Sequence, residues 1–105
     1  FHRDPGPVVR QAVIGIMMQW PLYAMKMLGR DLKNIDLESR LGEVRIPTLV
    51  LHGKHDRKQR FSGAAHLCSK IPSARMVAFD ESAHNPQAEE VEKFNLALRD
   101  FVSGR

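Results

Sequence analysis

Two short stretches hold the residues that could do chemistry. LHGKHD, residues 51–56, sets an aspartate three positions beyond the glycine that ends an apolar run. FDESAHNPQ, residues 79–87, sets His84 just after a second apolar run and two residues before Pro86. Imidazole exchanges a proton near neutral pH, and a carboxylate beside it fixes the ring tautomer and stabilises the imidazolium as it forms. A histidine on such a loop is a solvated residue, a metal ligand or a catalytic base. The elements that position it have to decide.

The metal reading draws on His52, His55 and Asp56, which lie close together in the chain. His52 is still within the apolar run, however, and His55 lies beyond a glycine. No second cluster at ligand spacing supports zinc, so no metal is expected. His2 and His66 read as surface residues.

Two regions differ in texture, with the join near Arg45. In the first, Pro7 is a good opening residue, and Val9, Val13, Ile16, Met17 and Trp20 recur at helical spacing. Pro21 breaks that run, and Leu22 to Leu28 predict a second helix ending at Gly29. Asp36 is placed to cap a third, Leu37 to Val44, which stops before Pro47. In the second region IPTLVLHG, residues 46–53, is β-rich and apolar at consecutive positions, as in a parallel strand covered on both faces. Arg60 to Ile71 predicts a helix, residues 74–80 a second strand, and Glu89 to Val102 an amphipathic last helix.

Strand, helix, strand, helix with short connections is the pattern of an α/β parallel sheet. The carboxyl ends of parallel neighbours share one edge, where such sheets bind ligands. Strands about 4.8 Å apart would bring Asp56 and His84 together across short loops. That pairing is the chemistry the spacing supports.

Bulk composition narrows the classes. At 105 residues the chain is at most one small domain, too short to complete a large two-sided sheet. It is 43% apolar and 27% charged, values of a globular rather than a disordered chain. No apolar run approaches the roughly 18 residues that span a bilayer, so no membrane partner is expected. A lone Cys68 excludes an internal disulfide and fits a reducing, cytoplasmic setting. The net charge is +4, with lysine and arginine spread among acids over most of the length, and the one dense basic patch is KHDRKQR, residues 54–60. Without interleaved aromatics or a recognition motif this reads as a solvated loop rather than a nucleic-acid site.

The run IPTLVLHGKHD, followed about thirty residues later by SAHNPQAEEVEKFNLALRDF, resembles the C-terminal part of an α/β-hydrolase. Gly53, Lys54, His55 and Asp56 match the strand end, two variable residues and acid of that family. His84, Pro86, Glu89 and Phe94 match its histidine loop. Ala83 stands where glycine is usual, and Val91 where proline often opens the last helix. The resemblance implies a catalytic triad in which Asp56 orients His84 and no cofactor takes part. It also implies that residues 1–34 belong to a helical cap or lid, and residues 35–105 to the hydrolase core. MMQWPLYAMKM suits a cap, flexible methionine filling irregular apolar space. Trp20 and Tyr23 are then candidate substrate contacts, though the same stretch also reads as an ordinary packed helix face.

Family order is nucleophile, acid, histidine. Ser62 precedes Gly63 but follows Asp56 in the chain, the wrong order. Ser39, Ser69, Ser73 and Ser82 have no elbow glycines around them, and Cys68 lies within a predicted helix. The expectation is a fragment whose nucleophile, serine, aspartate or cysteine, lies upstream of Phe1. Alone it would be inactive and self-associate through the apolar edge at Ile46 to Leu51. The intact protein would hydrolyse an ester, lactone or similar small molecule. The alternative is a non-catalytic receptor or interaction protein on the same fold, since fold does not fix function.

Overall fold

The computed structural model describes residues 1–104, which fall into two compact units. One is Pro5–Leu37; the other runs from Glu38 onward and includes Phe1–Asp4.

The Pro5–Leu37 unit holds α1 (Pro7–Met17) and α2 (Leu22–Leu32). Pro7 opens α1, and Gly6 before it takes a left-handed φ of 87° that a side chain would disfavour. α1 ends short of Trp20, because Pro21 disfavours helical backbone at the residue before it. Gln19 and Trp20 instead close tighter turns, their N–H groups bonded to Ile16 and Met17. α2 does not end at Gly29 but runs on to Leu32. Glycine costs a helix about 1 kcal/mol against alanine, which three further helical residues offset here. Neither helix buries a residue.

In the other unit, Glu38–Glu43 forms a 3₁₀ segment where an α-helix from Leu37 to Val44 was expected. The stretch is short and contains Gly42, both of which favour the tighter turn. Arg40 and Glu43, which eclipse at three residues per turn, pair at 2.8 Å. β1 (Thr48–Gly53) starts two residues after Ile46, because Pro47 has no N–H to give a ladder. The Ile46 carbonyl accepts the hydroxyls of Thr48 and Ser73 instead.

α3 (Phe61–Lys70) stops where Ile71 turns extended ahead of Pro72. β2 (Ala74–Phe79) then returns parallel to β1, in register from Thr48↔Ala74 to Gly53↔Phe79. The two strands therefore end together, as expected for the α/β pattern. Val50, Ala64, Ile71, Phe79 and Ala83 are buried between strands, helix and loop. Phe79 is wholly buried at the very end of β2, tilted against Phe94. The expected last helix is divided: α4 (Pro86–Glu89) and α5 (Val91–Val102) are separated by Glu90, whose backbone is not helical. No helix among the described residues is long and apolar enough to cross a membrane.

Candidate active site

The register puts Gly53 opposite Phe79, so the loops carrying Asp56 and His84 leave the sheet side by side. Two backbone bonds stitch those loops together and a third closes the turn within the first. Lys54 N–H reaches the Phe79 carbonyl at 2.9 Å, His55 N–H the Ser82 carbonyl at 3.0 Å, and Asp56 N–H the Gly53 carbonyl at 3.3 Å. Gly53 is required by clearance. A Cβ there would collide with the backbone carbonyls of Ser82 and Ala83.

Asp56 is buried, its side chain 3% exposed. Oδ1 accepts the N–H groups of Lys58 and Gln59 at 2.9 and 3.0 Å, a carboxylate closing its own turn. Oδ2 lies 2.8 Å from His84 Nδ1. Burial is the largest influence on this acid and pushes its pKa up. The Gln59 N–H, the His84 ring and the Lys58 N–H together overcome it and hold the pKa at about 2. The acid is thus a fixed anion at neutral pH. With Nδ1–H donated to it, the ring presents Nε2 as the basic nitrogen, and half of the His84 side chain is exposed.

A cavity of about 610 Å³ opens over this pair, lined also by His2, Lys54, His55, Arg57 and Lys58. Lys54 is tied to Asp80 at 2.5 Å, and the rings of His2 and His55 stack 3.6 Å apart.

The structure therefore joins Asp56 and His84, the pair singled out from spacing. Trp20 lies after α1 and Tyr23 in the first turn of α2, both in the Pro5–Leu37 unit and mostly exposed. His52 is one neighbour whose role spacing did not show. Its Nε2 donates to the Gln59 carbonyl at 2.6 Å and lies 3.5 Å from Asp56 Oδ2, bracing the turn that holds the acid. No group of three or more histidine, cysteine or acidic side chains among the described residues is arranged to hold a metal ion.

Two glutamates also serve the site: Glu89, matched above as a position of the histidine loop but without a bonding role, and Glu90, which was not singled out. Glu89 accepts backbone N–H groups on both sides of His84, and Glu90 accepts the Ser82 hydroxyl at 2.5 Å. Sequence spacing carries no signal for these bonds, since the pair falls at the junction of α4 and α5 and its partners are set by the folded loop.

No family model matches the chain. Among curated proteins it is 33% identical over 101 residues to the AB hydrolase superfamily protein YisY of Bacillus subtilis, covering 96% of the chain and 38% of that protein. It is 39% identical over 67 residues to a 2-hydroxy-6-oxononadienedioate/2-hydroxy-6-oxononatrienedioate hydrolase of Cupriavidus pinatubonensis, 64% of the chain and 23% of that enzyme. Among solved structures, the esterase EaEST from Exiguobacterium antarcticum superposes with a TM-score of 0.89 at 24% identity, over 97% of the chain and 38% of its own, which shows a common fold. The chain thus spans well under half the length of these relatives. A methyl ester esterase and an enol-lactonase are also among the matches.

Proposed function

The chain belongs to the α/β-hydrolases, whose C-terminal part it matches, and from that premise we propose that the whole protein hydrolyses an ester, lactone or similar small substrate. Asp56 and His84 are the acid and base of its triad, and the nucleophile comes from a part of the fold outside these 105 residues. The observation that carries this reading is the 2.8 Å bond from the buried Asp56 to a half-exposed His84 at the carboxyl edge of parallel strands.

The steps balance without a cofactor. For a serine nucleophile, His84 Nε2 takes the hydroxyl proton as the oxygen bonds to the substrate carbonyl. The imidazolium, stabilised by Asp56, gives that proton to the leaving oxygen as the bond to it breaks. Water then enters, loses a proton to His84 and attacks the acyl carbon. His84 returns the proton to the serine as the acid product departs. Residues 1–34 form part of a cap in this reading, with Trp20 and Tyr23 touching substrate.

The test is turnover of p-nitrophenyl esters by the intact protein. Asp56→Asn and His84→Ala should each lower kcat by about 10³-fold or more. Near-wild-type turnover in either variant defeats the assignment. In the same assay Trp20→Ala and Tyr23→Ala should raise KM several-fold and leave kcat within about twofold.

A further inference from the structure

We infer that Glu89 is a positioning residue for His84, holding the histidine loop by taking the backbone N–H groups on either side of it onto one carboxylate oxygen. Glu89 Oε2 accepts Ala83 N–H at 2.9 Å and Asn85 N–H at 3.3 Å, so the His84 backbone sits in the middle of a closed ring. Glu89 Oε1 accepts the His2 N–H. Glu90 secures the preceding stretch, taking the Ser82 hydroxyl at 2.5 Å and the Glu81 N–H at 3.2 Å on its Oε2.

The need for such a brace follows from burial. Half of the His84 side chain is exposed, so packing alone cannot hold the ring, and its one side-chain anchor is Asp56. Ser82, by contrast, is wholly buried and Ala83 nearly so. Pro86 is buried on the far side, so His84 and Asn85 are the stretch between two packed ends that the Glu89 carboxylate spans. Catalytic side chains must be held to within about 0.5 Å of their working geometry, and here the backbone must supply that precision. The donors suit an ionised acceptor. Although burial pushes the Glu89 pKa up, the N–H groups of His2, Ala83 and Asn85 outweigh it and leave the carboxyl below its ordinary value.

Length matters more than charge. A glutamine keeps one oxygen able to take both the Ala83 and Asn85 N–H groups. An aspartate keeps the charge but falls a methylene short.

The inference rests on His84 acting as the base, and the test separates the two. In the intact protein, Glu89→Ala should lower kcat for a p-nitrophenyl ester about 10- to 100-fold with KM within about twofold. Glu89→Gln should stay within about threefold of wild type, and Glu89→Asp should resemble Glu89→Ala. The second readout needs no turnover: the His84 Nδ1–H proton resonance should persist in Glu89→Gln and broaden away in Glu89→Ala. Ile71→Val, a core change outside the loop, controls for stability loss and should keep both kcat and the resonance.

A Glu89→Ala protein that keeps the resonance and loses no more kcat than Ile71→Val overturns the inference. If Glu89→Ala fails to fold, the glutamine and aspartate variants decide. Aspartate working where glutamine fails would mean that charge, not reach, is what counts, and would also overturn it. If wild type turns over no ester, the hydrolase reading fails while the resonance still settles the role of Glu89.

Discussion

At the scale of single residues, the site is built around an acid whose hydrogen-bonding capacity is filled. Asp56 receives two backbone N–H groups on Oδ1 and the His84 ring on Oδ2, with His52 standing behind. Its pKa, about 2 in the fold, lies below the roughly 3.9 of a free aspartate. A depressed pKa means that the folded state favours the anion. The resulting stabilisation is complete above about pH 4 and is lost as pH falls toward 2. Denaturant titrations of the intact protein should show wild type losing about 1–2 kcal/mol more than Asp56→Asn between pH 5 and 2, allowing for solvent screening at a loop. Parallel acid profiles for the two proteins would mean that these bonds do not favour the ionised form. Glu89, also depressed, is present in both and cancels from the comparison.

At the scale of elements, two loops must approach closely at the ends of paired strands, and Gly53 permits it. Gly53→Ala would drive a Cβ into the carbonyls of Ser82 and Ala83, the two residues directly before His84. We expect it to cost about 1–3 kcal/mol in stability and at least about tenfold in kcat, read by urea denaturation and ester turnover. Unchanged values would show that the loops have slack. The element pattern was legible where local chemistry dictates it: the apolar run ended by Gly53, the break at Pro72 and the helical spacing after Val91 all match observed elements. Strand direction and loop length then brought Asp56 and His84 to one edge. Boundaries were less legible where competing effects are small, as at Gly29, inside α2, or in the 3₁₀ segment that replaces an α-helix. Glu89 was legible as a position of the histidine loop, but its partners were not, nor were those of Glu90 and His52. The Ala83 and Asn85 N–H groups, the Ser82 hydroxyl and the Gln59 carbonyl take their places only once the loops have folded.

At the scale of the whole chain, the sheet is the feature that demands company. Among the described residues it has two strands, so β1 carries a ladder on one side and open N–H and C=O groups on the other. Beside it runs a groove of about 610 Å³ lined by Thr48 to His52 of β1 and by Gly63, Ala64 and Leu67 of α3. Ile46, just ahead of the strand, is 70% exposed. Short polar edges and inward-turned charges are the usual protections for such a strand, and TLVL has neither. Within a complete α/β-hydrolase fold we expect further strands to cover this edge. The 105-residue chain on its own should instead recruit copies of itself, and sedimentation velocity across a concentration series should show species heavier than 11.9 kDa growing with concentration. Replacing Leu49 with lysine should suppress that growth, since a charge along the edge disfavours strand addition. A single sharp monomer boundary at every concentration would mean that the open edge of β1 stays hydrated and recruits no neighbouring strand.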